Sequence, residues 1–241
     1  LVGLLHRVRE VSFVDASTVV GPIRAVKDAD EISVLQAAAA AADRVAAELQ
    51  SGAVPLVGRT EAEVSDEVGR RLVAEGHRKV NFAIVAAGEH AASPHHAPSD
   101  RVIRPDEIVL CDFGGTFEGA DGVGYCSDIT RCVHTGSIPR ELAEMYAVLH
   151  DAQQLAVAGA VVGARCEAVD AIAREAISAA GFGEHFIVEG NDESLAPGHA
   201  FSVEPGIYLP GRWGARLEDI VVATDAGPRA LNVADHALVE V

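Results

Sequence analysis

Two apolar runs near the middle of the chain, residues 108–113 and 125–133, flank a stretch broken by Gly114, Gly115, Gly119, Gly122 and Gly124. Apolar runs of strand length on either side of a glycine-rich turn predict a β-hairpin. Each predicted strand carries one acid, Asp112 and Asp128, in surroundings that favour burial. A buried carboxylate is costly unless it is paired or meets a cation. Towards the C-terminus the pattern recurs. Residues 200–209 and 215–223 read as strands about the turn Pro210-Gly211-Arg212-Trp213-Gly214, and Glu204 and Glu218 interrupt them.

Each predicted hairpin follows two predicted helices. Asp28 or Asp30 can cap a helix running to about Gln50, with Ile32 and Leu35 on one face. Thr60-Glu61-Ala62-Glu63 has capping-box spacing and opens a second helix ending near Gly76. A strand over residues 80–87 and a polar loop (Gly88-Glu89-His90, then Ser93-Pro94-His95-His96-Ala97-Pro98) lead into the first hairpin. In the second half, Ser137 and Pro139 start a helix to about Ala158, and residues 166–180 form another, stopped by Gly181. The closing segments 229–232 and 237–241 could add edge pairing. The repeated order predicts one pseudo-symmetric α+β domain over residues 28–241, its helices on one face of the sheet. Residues 1–27 read as a strand (11–14) and a linker at Gly21-Pro22, left from a junction with an amino-terminal domain. The opening Leu1 fits a fragment.

Composition narrows the function. Apolar residues make up 49% of the 241, enough for a sizeable core. With 19 basic against 36 acidic residues the formal charge is −17, which argues against nucleic acid or an anionic membrane as partner. The alanine run 37–42 is too short to span a bilayer. Residues 1–14 alternate apolar and charged, unlike a signal peptide. None of Cys111, Cys126, Cys132 and Cys166 forms a Cys-x-x-Cys pair. Cys111, Cys126 and Cys132 lie in predicted strands and read as small core residues of a reduced, cytoplasmic protein.

Four acids at matching positions of two hairpins are hard to explain as surface charge, although any one alone could be that. Hard divalent cations favour oxygen ligands, and two ions can share bridging carboxylates. Such a pair acidifies a bridging water and polarises a substrate carbonyl. His95 precedes the first hairpin and could stabilise a developing oxyanion. A solvated loop His95/His96 pair is the plainer alternative.

The stretches Pro94-His95-His96 with Ser99-Asp100, Asp112-Phe113-Gly114-Gly115, Ser127-Asp128-Ile129-Thr130-Arg131, Val203-Glu204-Pro205-Gly206-Ile207-Tyr208 and Arg216-Leu217-Glu218-Asp219 resemble the pita-bread metallopeptidases. The similarity is to their Xaa-Pro dipeptidase (prolidase) and aminopeptidase P branch, and it covers nearly the whole chain. It implies a pita-bread α+β fold and a dinuclear site of two aspartates, one histidine and two glutamates, loaded with manganese, cobalt or zinc. Asp112 and Asp128 would chelate one ion, Glu204 would serve the other, and Glu218 would bridge. Glu204 would also act as general base on a metal-bridging water or hydroxide. His95 would assist at the scissile carbonyl, with Arg216 and Tyr208 near the substrate. The implied protein is a cytoplasmic homodimer hydrolysing Xaa-Pro bonds in small peptides.

One departure stands out. The family carries a glycine-flanked His loop that supplies the fifth ligand, and here Ile187 runs directly into Val188. The favoured reading is that the full chain carries this loop between those two residues. A true deletion would leave a catalytically dead domain used for binding. A creatinase-like, metal-free hydrolase is disfavoured because all four acids are present. His185 matches a position upstream of the missing ligand, and His199 reads as surface.

Overall fold

In a computed structural model, residues 14–120, 122–185 and 191–241 are described. The Ile187/Val188 junction, where the missing loop is expected, lies outside them.

The helices begin where the sequence places their caps. Helix α1 spans Ser17–Ala25, α2 Ala29–Gln50 and α3 Glu61–Ala74. Asp28 accepts from the Glu31 amide while Glu31 accepts from the Asp28 amide, and Thr60 with Glu63 does the same for α3. Each capping box satisfies two otherwise orphaned amides. Helix α4 spans Arg140–Gly159, with Pro139 as its N-cap, and α5 spans Cys166–Ala179. Gly76 (φ 108°) and Gly181 (φ 91°) turn the chain out of α3 and α5. The linker expected at Gly21-Pro22 is instead inside α1, started by Asp15, whose carboxylate accepts from the Ser17 amide.

The strands are β1 His77–Ala87, β2 Ile108–Glu118, β3 Gly124–Cys126, β4 Ile129–His134, β5 Ala200–Val203, β6 Gly206–Leu209, β7 Trp213–Arg216, β8 Asp219–Thr224, β9 Gly227–Ala230 and β10 Val239–Glu240. One sheet runs β1-β2-β4-β10, with β3 also on β2; among the described residues only its β4–β10 pair is parallel. The second half differs from its expectation. Residues 200–209 break at Glu204-Pro205, and residues 215–223 break at Leu217-Glu218, giving a three-stranded sheet β5-β8-β9 and a hairpin β6-β7. Pro205 has no N–H to donate to a ladder, so pairing changes partner there. A bridge between Thr130 and Glu218 joins the two halves.

Helix α3 packs on β1 and β2, α2 on β2 and β4, and α4 on β5, β6, β7 and β9. Leu49, Val68, Leu72, Val109, Phe113 and Ile129 form the core beneath the first pair, and Met145, Leu149, Ile177, Ile207 and Leu217 that of the second. Cys111 and Cys132 are buried as expected. Cys126 is exposed, because β3 is a three-residue edge strand. His199 is buried rather than on the surface; its ring nitrogen accepts from the Ala196 amide, and the residue bridges to Val26.

Candidate metal centre and its cavity

The convergence of acids follows from strand register. Asp112 on β2 pairs with Thr130 on β4, and Thr130 bridges to Glu218, the residue before β8. Side chains of laterally paired residues share a face, and residues two apart along a strand return to it. Asp128 lies one residue before β4 and Arg216 ends β7, and both reach the same place: Asp128 meets Asp112 and Glu218, and Arg216 bonds the Thr130 hydroxyl. Asp112, Asp128 and Glu218 each offer a carboxylate oxygen within 4.8 Å of the others.

Thr130, quoted in the Ser-Asp-Ile-Thr-Arg motif but given no role there, organises the cluster. Its hydroxyl donates to Glu218 Oε2 (2.7 Å) and accepts from Arg216 Nε (3.1 Å). Arg131, the next residue, points to the other face. It is fully buried and straps the halves together through Glu218 O (2.8 Å) and Asp219 Oδ1 (2.7 Å). Asp219 is in turn held by His236 (2.6 Å) and Gln153 (2.9 Å). Alternation along the β4 strand could have flagged this division of labour between neighbours.

Arg216 is the cation the sequence did not assign to the acids. It is buried, bonds Asp112 Oδ2, and lies 4.0 Å from Glu218 and 3.9 Å from Glu204. Its Nη1 donates to the Tyr208 hydroxyl (2.9 Å) and to Pro94 O (3.2 Å), which ties it to the loop presenting His95. One guanidinium does not balance this many carboxylates. Burial first, then the charges of Asp112 and Glu204, pushes Asp128 up to about 7. Burial raises Glu218 and Asp112 as well; for Asp112 the Arg216 charge opposes it. Asp112 Oδ1 and Asp128 Oδ1 are buried with no hydrogen-bond partner among the described residues. Two orphaned carboxylate oxygens in an all-oxygen donor set are what a hard divalent cation satisfies, so these residues fit the metal that the resemblance implies.

Glu204 stands apart from the expected ligand set. It is exposed at the β5/β6 break, accepts from the Ser202 hydroxyl (2.6 Å), and is not among the three acids that converge. Its charge nonetheless acts on all three. Glu204, His95, Tyr208 and Arg216 line one cavity of about 380 Å³, whose apolar wall includes Val169 and Leu195. His95 is exposed at that cavity.

The model of metallopeptidase family M24 matches residues 33–225. The probable dipeptidase PepE of Mycobacterium tuberculosis is 44% identical over 94% of this chain and 63% of its own length. The Xaa-Pro dipeptidase of Lactobacillus helveticus is 35% identical over 93% and 64%. The chain thus spans a little under two thirds of these curated relatives. Among solved structures, dipeptidase PepE from Mycobacterium ulcerans superposes with a TM-score of 0.92 at 41% identity, covering 100% of this chain and 68% of that one. Prolidase from Thermococcus sibiricus gives 0.91 at 34%, covering 100% and 70%. The fold is the pita-bread α+β architecture, and the chain belongs to metallopeptidase family M24.

Proposed function

We propose that the protein is a metal-dependent exopeptidase that hydrolyses Xaa-Pro dipeptides or the Xaa-Pro bond at peptide amino termini. The observation that carries this reading is the meeting of Asp112, Asp128 and Glu218, two of them with orphaned buried oxygens, beside a cavity lined by Glu204, His95, Tyr208 and Arg216. Relatives named Xaa-Pro dipeptidase and prolidase support the substrate class.

Asp112, Asp128 and Glu218 would hold the metal, with Glu204 completing a dinuclear site from the cavity side. Divalent ions there supply Lewis acidity, polarising the scissile carbonyl and lowering the pKa of a water. Glu204, exposed at the cavity, takes the proton of the attacking water and returns it to the leaving amine. His95 faces the same cavity and donates to the carbonyl oxygen as charge develops. Arg216 and Tyr208, already bonded to each other, fix the wall against which the substrate lies. Pro94 O, held by Arg216, keeps His95 in place. The apolar surface of Val169 and Leu195 suits a proline ring. The proposal extends to a cytoplasmic homodimer using manganese, cobalt or zinc, for which the family resemblance is the support.

The test is hydrolysis of matched Xaa-Pro and Xaa-Ala dipeptides with added Mn²⁺. Turnover favouring Xaa-Pro is expected, lost with chelator. Glu204→Gln should lower kcat by roughly 10²–10⁴-fold. Equal rates in chelator, or an unaffected Glu204→Gln, would overturn the reading.

A further inference from the structure

A second cluster shares no residue with the acid centre or with the groups proposed to act in hydrolysis. Glu61, the first residue of α3, is completely buried. His90 Nδ1 lies 2.9 Å from Glu61 Oε1 and 3.1 Å from Oε2, and His96 Nε2 lies 3.1 Å from Oε2. The two imidazoles stack with centroids 4.1 Å apart and planes tilted by 35°, so that one nitrogen of each is aimed at the same carboxylate. These three ligand atoms lie within 4.8 Å of one another. The remaining contacts to Glu61 come from the Ala87 amide (2.9 Å), the Ser99 amide (3.2 Å) and the Ser99 hydroxyl (2.7 Å). They fix its orientation from outside the cluster, as outer-shell donors fix a ligating carboxylate.

We propose that Glu61, His90 and His96 bind a transition-metal dication of the zinc type, at a site separate from the Asp112/Asp128/Glu218 centre. In a tetrahedral zinc site, bonds of about 2.0–2.2 Å place neighbouring ligand atoms roughly 3.3 Å apart. Glu61 Oε2 lies 3.1 Å from His90 Nδ1 and 3.1 Å from His96 Nε2, so both separations need only a small expansion to reach that spacing. Ligand chemistry separates the two centres. Two imidazoles and one carboxylate suit zinc, cobalt or copper, whereas the three converging carboxylates of the first centre are a harder donor set that accepts manganese as well. Both histidines are only partly buried, leaving a side open for the ion to enter and for water as a fourth ligand. The ion would clamp the loop that runs between the two histidines and carries Pro94 and His95. The inference does not depend on the peptidase reading.

Co²⁺ reports on the site directly, because its d–d absorption is intense in four-coordinate nitrogen-rich sites and weak in octahedral oxygen sites. The background is the double variant Asp112→Asn/Glu218→Gln, which removes the first centre. Titrated with Co²⁺, it should give an intense visible band at one equivalent, and Zn²⁺ should displace it. His90→Gln or His96→Gln in the same background should abolish the band while circular dichroism stays unchanged. If those variants do not fold, zinc-dependent protection of His90 and His96 from diethyl pyrocarbonate in the double variant serves instead. No band and no protection, or a band that survives both histidine changes, would overturn the proposal and leave Glu61 as a hydrogen-bonding hub.

Discussion

Asp128 Oδ1 is buried without a hydrogen-bond partner among the described residues, and burial with the charges of Asp112 and Glu204 lifts the group to about 7 from an ordinary 3.8. A carboxyl whose pKa is higher folded than unfolded holds its proton more tightly in the native state. Its contribution to stability is complete below 3.8 and is lost as pH rises through about 7. Asp112 and Glu218 are shifted in the same direction. Thermal melts in chelator should therefore show metal-free wild type losing stability between these values. Asp128→Asn, which keeps the shape and removes the charge, should melt above wild type at neutral pH, with the gap closing towards pH 4. Parallel curves across that range would contradict the burial account. A divalent cation reverses the sign by favouring the ionised form, so added Mn²⁺ should stabilise wild type most at neutral pH.

The hairpin β2/β4 places its acids through a close backbone approach. A Cβ on Gly114 would strike the carbonyl oxygen of Ser127, the residue before Asp128. Ser127 cannot step aside freely, since its amide donates to Gly115 O (2.9 Å), its hydroxyl accepts from the Gly115 amide (3.1 Å), and it meets His77 Nε2 (2.8 Å). Gly114→Ala should thus displace Asp128 and weaken Mn²⁺ binding by at least about tenfold. Isothermal titration measures this, and unchanged affinity would show that the strand accommodates the methyl. The helices were legible because their caps are local: Asp28 with Glu31 and Thr60 with Glu63 announce themselves within four residues. The breaks at Glu204-Pro205 and Leu217-Glu218 were not, because which strand pairs with which depends on contacts across the fold. That is also why Glu204, at one of those breaks, stands outside the cluster that its matching position suggested.

Over the whole molecule, two halves of similar order meet at the Thr130–Glu218 bridge and behind it at the buried Arg131–Asp219 pair. The acids of the first half, Asp112 and Asp128, come together with Glu218 of the second only because of that seam. The sequence showed four acids in matched positions. It gave no sign that Arg216 would enter among them, or that Glu61 would gather His90 and His96, since those partners are brought together by tertiary packing alone. The central claim is that both halves contribute to one divalent-cation centre. Titration of Mn²⁺ followed by electron paramagnetic resonance, on wild type, Asp128→Asn and Glu218→Gln, tests it most directly. The account predicts tight binding by wild type and a loss on the order of 10–100-fold or more from either substitution; wild-type affinity in both variants would contradict it.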